Sequence, residues 1–543
     1  MDQDKEFLAR RAAMISSGAW RDETLLDHFS RHLAAAPERT AIVARRGETG
    51  VETRLTYREL DRLSDVVAIG LSRRGVGEGD VVSFQLPNWW EFSVLHLACL
   101  KLGAVSNPLM IIFRERELSF MLGLAESKVF VVPAEFRGVD RAAIARAVSA
   151  DLPMLQHVLV VGGKGAAAFE SLLSDELSDA DLSRLKSRRL SPDSVIELLY
   201  TSGTTGEPKG VMHTSNTMLA NLVPFAERLR LTSSDVIHMP SPMAHQLGFM
   251  YGLVLPAMLG ASAVLQDIFE PGEMARQIRQ EGATFTMGAT PFLSDLTDYV
   301  EKAGIGTPTL RVFVSAGAPI PRALVTKARN VLGAAIISGW GMSENGAVTT
   351  TRPEDPEEKV TSTDGVALPG MEVRVIDASG AVVLRGGEGA LQVHGCSNFV
   401  GYLKRPGLAN ISQDGWFDTG DIARMDDDGY IRIAGRMKDI VIRGGENIPV
   451  VEVEGLLFKH PAVAAVAIVG YPDARLGERA CAFVTLKPGA SFTFEEMTAF
   501  LKAQRLTPQY IPERMEILEE LPRTPSGKIQ KFRLRDTFEK PND

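Results

Sequence analysis

The feature that most constrains the fold is a repeated switch between helical and strand periodicity. Leu60, Leu63, Val67 and Leu71 recur at helical spacing, and Gly75, Gly77 and Gly79 then break the pattern ahead of an apolar run from Val81. A second unit follows, with the helical stretch EFSVLHLACLKLG ending at Gly103 and a short strand, AVSNP, stopped by Pro108. Further apolar strands are expected at 158–161, 195–200 and 311–315. Strands alternating with helices imply an α/β architecture with mainly parallel sheets covered by helices on both faces.

The pattern changes after about residue 365. Short alternating segments (MEVRVID, ALQVHG, YIRIAGR) are separated by Gly and Asp turns, and Asp426-Asp427-Asp428-Gly429 reads as a hairpin connection. This predicts a small antiparallel or barrel-like subdomain. From about Met437 apolar strands at 464–469 and 480–484 alternate with helical stretches at 449–459 and 494–505, which predicts a compact C-terminal α+β domain.

Charge narrows the partners. Lys and Arg total 59 against 68 Asp and Glu, a net charge of −9, which argues against nucleic acid or an anionic membrane as the general partner. Any anionic ligand must then be held by a specific site. Cys99, Cys396 and Cys481 are too scattered for a disulfide framework or a cysteine metal site, and the N-terminus does not read as a signal or transit peptide, so a cytoplasmic location is expected. Residues 236–266 carry no Asp, Glu, Lys or Arg and are long enough to span a bilayer. Their Gly and Pro content and the lack of flanking basic clusters favour a buried helix followed by a strand at 263–265, with no membrane span.

The strand at 195–200 runs into Thr201-Ser202-Gly203-Thr204-Thr205-Gly206-Glu207-Pro208-Lys209-Gly210. Three glycines leave backbone free to approach a ligand, and four hydroxyls and a lysine offer donors to phosphate oxygens. It is not a Walker loop, because Pro208 precedes the lysine and Gly210 follows it. The competing reading is a polar surface turn.

YTSGTTGEPKG closely resembles the signature of the adenylate-forming enzymes, the superfamily of acyl-CoA synthetases, peptide-synthetase adenylation domains and luciferases. The superfamily's other motifs have ordered counterparts in Ser315-Ala316-Gly317-Ala318-Pro319, Trp340-Gly341-Met342-Ser343-Glu344, Thr419-Gly420-Asp421, Gly435-Arg436-Met437-Lys438-Asp439 and Pro525-Ser526-Gly527-Lys528. The resemblance covers nearly the whole chain. It implies a large AMP-binding domain of layered α/β subdomains plus a barrel-like one (1–434), a hinge (435–439) and a mobile α+β domain (440–543).

The resemblance also implies roles. Lys528, His245, Glu344 and Thr204 would be catalytic. ATP and CoA contacts would come from Thr201 to Gly206, Lys209, Gly317 to Pro319, Trp340 to Ser343, Asp421, Arg436, Lys438, Gly444 and Gly445. Lys528 would reach the substrate carboxylate and the α-phosphate. Taken alone it would be a solvated lysine, yet residues 523–535 hold five Lys or Arg and no acid. Glu344 would be a hard oxygen ligand for Mg²⁺, although in isolation it could equally cap a helix. Asp421 would accept the ribose hydroxyls, its alternative being a plain turn acid. Trp340 and Ser343 stand where the superfamily usually has Tyr or Phe and Thr, keeping a flat ring for adenine and a hydroxyl. Lys438 would be the pivot, and Gly444 and Gly445 would line a pantetheine tunnel.

His245 lies where acyl-CoA synthetases often carry a histidine between the acyl pocket and the thiol channel. As a lone residue among apolar neighbours it would be a core histidine. Amino-acid-activating relatives place an aspartate near here, whereas residues 236–266 have none and Asp267 lies just beyond. The substrate-pocket candidates His245, Phe249, Met250, Gly288, Ala289 and Ala316 are largely apolar, so an apolar monocarboxylic acid is expected. Residues 12–29 and 340–351 look like cyclohexanecarboxylate-CoA ligases and their short- or medium-chain fatty-acid relatives. An aryl-CoA ligase and an acyl-AMP ligase loading a carrier protein stay open as alternatives, and the small-molecule partners are the acid, ATP and CoA. A homodimer is an admissible assembly.

Overall fold

A computed structural model describes residues 2–173, 177–201, 208–317, 320–436, 441–443, 446–473, 476–504, 506, 508–524 and 527–539. The helical spacing around Leu60 becomes the helix Tyr57–Arg73, whose entry is fixed by Thr56 and Glu59 exchanging side-chain and backbone hydrogen bonds. The next helix, Trp90–Leu102, stops at Gly103, which takes the left-handed conformation at φ 74°.

These units build two large sheets. In the nine-stranded sheet, Thr40–Arg45, Ser262–Gln266, Val236–Met239, Phe285–Gly288, Val312–Ser315 and Ala335–Met342 run parallel, and antiparallel strands close both edges. In the seven-stranded sheet a parallel set (His157–Val161, Val129–Pro133, Val81–Phe84, Val105–Pro108, Val195–Thr201) is followed by antiparallel Lys209–Thr214 and Gly401–Tyr402. One apolar core joins the two, with Phe84 and Phe92 of the second sheet's layer packed with Phe249, Ile237 and Phe285 of the first. Apolar side chains on both faces are what parallel strands require.

The antiparallel subdomain is a four-stranded sheet in the order Met371–Ile376, Glu388–Gly395, Phe417–Met425, Ile431–Arg436, and the Asp426–Gly429 turn joins the last two strands. The C-terminal unit has its own sheet, in which Val463–Asp473 pairs with Gly477–Leu486, and its own core around Val453, Ile468, Val484, Met497 and Leu501.

The apolar stretch 236–266 is more broken than a helix followed by a strand. It opens on the strand Val236–Met239, continues through the short helix Gln246–Gly248, a wide π-helical turn Phe249–Val254 and the helix Leu255–Leu259, and ends in Ser262–Gln266. Gly248 explains the first break, because a Cβ there would lie 2.2 Å from the Pro242 carbonyl oxygen. No helix of the described residues is long and apolar enough to cross a membrane.

Candidate active site

Several of the described candidate residues, Thr201, Gly288 and those after Ser315 among them, lie at the carboxyl ends of parallel strands, where open α/β sheets leave a crevice for ligands. Gly288 and Ser315 end adjacent strands, and the Ala316 amide donates to the Gly288 carbonyl at 3.2 Å. Gly317 follows at φ 82°, and Ala289 caps the helix Thr290–Ala303. Thr201 ends its own strand, opposite Lys209 across the antiparallel pair.

Lys209 leads to a residue that the motifs do not contain. Its Nζ sits 4.7 Å from the centre of the Tyr402 ring, and the Tyr402 hydroxyl donates to Glu344 Oε1 at 2.7 Å. Glu344 and Tyr402 are both buried. Burial and the adjacent carboxylate push the Tyr402 phenol up, so it stays a donor.

Glu344 is no helix cap. It lies in the tight turn joining the antiparallel strands Ala335–Met342 and Gly346–Thr350. A Cβ at Gly341 would lie 1.9 Å from the Gly346 carbonyl oxygen, so only glycine allows this approach. Met342 N donates to Asn345 Oδ1 at 3.2 Å, and His213 Nε2 lies 2.7 Å from the Ser343 carbonyl oxygen. Burial pushes the His213 imidazole down to about 4, so it is neutral and donates from Nε2. Met250 packs beneath this turn, with its sulfur 3.0 Å from where a Cβ on Gly346 would stand.

Asp421 lies within the strand Phe417–Met425, and so is no loop-turn acid. The Trp340 indole Nε1 donates to Asp421 Oδ2 at 2.9 Å, and Arg436 is the cross-strand partner of Asp421.

His245 precedes the short helix Gln246–Gly248, and its Nδ1 accepts from the Leu247 amide at 3.3 Å. Asn88 braces this turn by accepting from Met243 N at 2.7 Å and donating to the Ser241 carbonyl at 2.9 Å. Burial, and then the positive charge of Lys528, push the His245 imidazole down to about 4. The loop carrying Lys528 therefore reaches the strand ends. A Cβ on Gly527 would stand 3.3 Å from Pro291 Cγ and 3.7 Å from Ala289 Cβ. Thr524 braces the loop, its amide donating to the Lys528 carbonyl at 2.7 Å and its Oγ1 accepting from Lys528 N at 3.0 Å. Arg523 is drawn to Asp295 on the helix Thr290–Ala303.

The structure thus brings Lys209 and Glu344 to the two ends of Tyr402, Trp340 to Asp421, Lys528 near His245, and Gly527 close to Ala289. Phe249 is buried, its ring centre 4.8 Å from that of His96. Asp267 is engaged by Trp89 Nε1 at 2.8 Å and Gly47 N at 3.0 Å. Ser202, Gly203, Thr204, Thr205, Gly206, Ala318, Pro319, Lys438, Gly444 and Gly445 lie outside the described residues. Tyr402, His213, Thr524 and Arg523 were not singled out from the sequence. Only Arg523 carried a signal, as the first charge of the basic stretch.

Comparison with known proteins identifies the family. Residues 29–403 match the AMP-binding enzyme model, and residues 452–528 match the AMP-binding enzyme C-terminal domain. The chain is 38% identical over 529 residues to the medium-chain fatty-acid–CoA ligase of Escherichia coli (strain K12), covering 97% of this chain and 92% of that protein. It is similar to the crystal structure of ATP-bound MatB from Rhodopseudomonas palustris, with 28% identity, a TM-score of 0.84, and 95% of this chain and 99% of that one covered. It is also similar to the anthranilate CoA ligase AuaEII in complex with anthranoyl-AMP, with 25% identity, a TM-score of 0.85 and 95% and 97% coverage. By sequence motif, strand-end geometry and both domain matches, the chain belongs to the AMP-binding enzyme family.

Proposed function

We propose that the protein is an ATP-dependent acyl-CoA ligase acting on an apolar monocarboxylic acid of short or medium chain, or on a cyclohexanecarboxylate-like ring. The observations that carry this are the approach of the Lys528 loop to the strand ends, with Lys528 felt by His245 and Gly527 close to Ala289, and the Trp340–Asp421 pair. In the first half-reaction the substrate carboxylate attacks the α-phosphorus of ATP, an oxygen–phosphorus bond forms, and the bond to the β-phosphate breaks to release pyrophosphate. Lys528 neutralises charge gathering on the carboxylate and α-phosphate oxygens, Lys209 and the loop from Thr201 grip the outer phosphates, and Asp421 with Arg436 holds the ribose.

In the second half-reaction the CoA thiol loses its proton to solvent water and its sulfur attacks the acyl carbon. The carbon–sulfur bond forms as the bond to AMP breaks. The neutral His245 beside Lys528 belongs to the first half-reaction, where it adds no second positive charge next to that lysine. Glu344 fits a Mg²⁺ site, since that ion usually takes one or two carboxylates and completes its shell with phosphates and water. Bound there, it would shield the phosphate charge. Between the half-reactions the C-terminal domain (440–543) turns about Lys438 in the 435–439 hinge to replace Lys528 with the pantetheine tunnel at Gly444 and Gly445.

The three cysteines are unpaired and buried, which supports a reducing, cytoplasmic setting. The anthranilate ligase likeness favours a second reading, an aryl-CoA ligase for a benzoate-like acid. Incubating a panel of aliphatic, alicyclic and aromatic acids with ATP and CoA, and following AMP and thioester, separates the two. AMP formed without a CoA requirement would instead point to an acyl-AMP ligase serving a carrier protein. No pyrophosphate exchange with any acid would refute adenylation.

A further inference from the structure

Trp340 does something that the Tyr or Phe usual at its position does not do in the same way. Its side chain lies in the strand Ala335–Met342 and is only 9% exposed, and its indole N–H points across to another sheet, to an Asp421 carboxylate that is 3% exposed. The 2.9 Å contact is a hydrogen bond from a neutral donor to a buried carboxylate, among the stronger kinds in proteins. The stem of Asp421 is fixed separately. Its backbone amide donates to Thr419 Oγ1 at 3.1 Å, and that hydroxyl donates to the Leu391 carbonyl at 2.7 Å.

We infer that Trp340 is a positioning residue for nucleoside recognition, its ring facing the base while its N–H holds the Asp421 carboxylate in the orientation that accepts the ribose hydroxyls. The inference rests on the proposed function, because it takes Asp421 as the ribose acceptor. Two parts of the nucleoside, base and sugar, would then be read by groups locked to one another before ATP arrives. Trp340→Phe keeps a flat ring and deletes the donor, and so isolates the sugar term.

The test is calorimetric binding of ATP and of 2′-deoxy-ATP to the full chain in four forms: unaltered, Trp340→Phe, Asp421→Ala and the double variant. The unaltered protein should prefer ATP. Trp340→Phe should weaken ATP roughly tenfold, the size expected for one hydrogen bond to a charged group, and should narrow the preference over 2′-deoxy-ATP. In the Asp421→Ala background, which leaves no acceptor for the indole, the same change should have little further effect, as coupled partners require. KM for the acid and for CoA should stay put. An unchanged ATP to 2′-deoxy-ATP ratio in Trp340→Phe, or equal losses in both backgrounds, would overturn the inference and leave Trp340 as a stacking surface for the base. If the unaltered protein binds no ATP, the proposed function fails and takes the inference with it. Should Trp340→Phe not fold by thermal melting, 3-benzothienylalanine at 340 gives the same comparison, because it keeps the indole shape and replaces the N–H with sulfur.

Discussion

Tyr402→Phe removes a single oxygen from the site. The lost contact is a 2.7 Å hydrogen bond to the Glu344 carboxylate, between two side chains that are 4% and 6% exposed. Bonds to charged groups contribute about 1.5–3 kcal/mol, and water cannot readily replace this one. At about 1.4 kcal/mol per decade, the expected loss is about 10- to 100-fold in kcat/KM for MgATP. The contact of Lys209 with the ring face survives the change, so the phosphate loop's anchor stays. The assay is pyrophosphate release from acid plus ATP across a Mg²⁺ titration. The half-saturating Mg²⁺ concentration should rise, because the Glu344 carboxylate keeps its place less well. The second half-reaction, started from a supplied acyl-adenylate, should be nearly unaffected. An unaltered Mg²⁺ dependence, or equal loss in both half-reactions, would refute the idea that Tyr402 orients Glu344.

Lys528→Ala should abolish pyrophosphate release while sparing thioester formation from a supplied acyl-adenylate, and single-turnover assays of each half-reaction check this. Gly341→Ala should leave little folded protein, because its Cβ would press to 1.9 Å from a carbonyl oxygen; thermal melting and soluble yield are the readouts. His238 is buried and bonded to Gln277 Oε1 at 2.9 Å, and burial pushes its imidazole down to about 4. Its unfolded value is near 6.5, so the unfolded chain binds the extra proton between the two values and stability is lost as pH falls through that window. Relative to His238→Asn, the unaltered protein should lose up to about 3 kcal/mol of stability between pH 6.5 and pH 4, measured by urea melts. No divergence between the two pH profiles would contradict the buried, neutral assignment.

Local rules made much of the fold legible. The helical spacing from Leu60, the stop at Gly103, the Asp426–Gly429 turn and the C-terminal strand and helix pattern all depend on neighbours in sequence. The Gly and Pro residues in 236–266 argued against a spanning helix, but the strand at its start was hidden because an apolar run fits either element. The site divides in the same way. Residues with local motifs could be read directly, whereas Tyr402 matters only because the strand pair that brings Gly401–Tyr402 beside Val211 and Met212 sets its hydroxyl on Glu344. Likewise His213 acts on the Ser343 carbonyl across a long gap in sequence. Pairings of that range depend on sheet order, which no single segment encodes.

Among the described residues, the Lys528 loop stands on the body with Gly527 against Pro291 and Ala289 and with Arg523 facing Asp295. Both halves of that contact belong to one polypeptide, so they meet at an effective concentration set by the tether, and not by the amount of protein in solution. A contact far too weak to hold two separate proteins together can then still be well occupied. Dilution of the enzyme should therefore leave its occupancy unchanged.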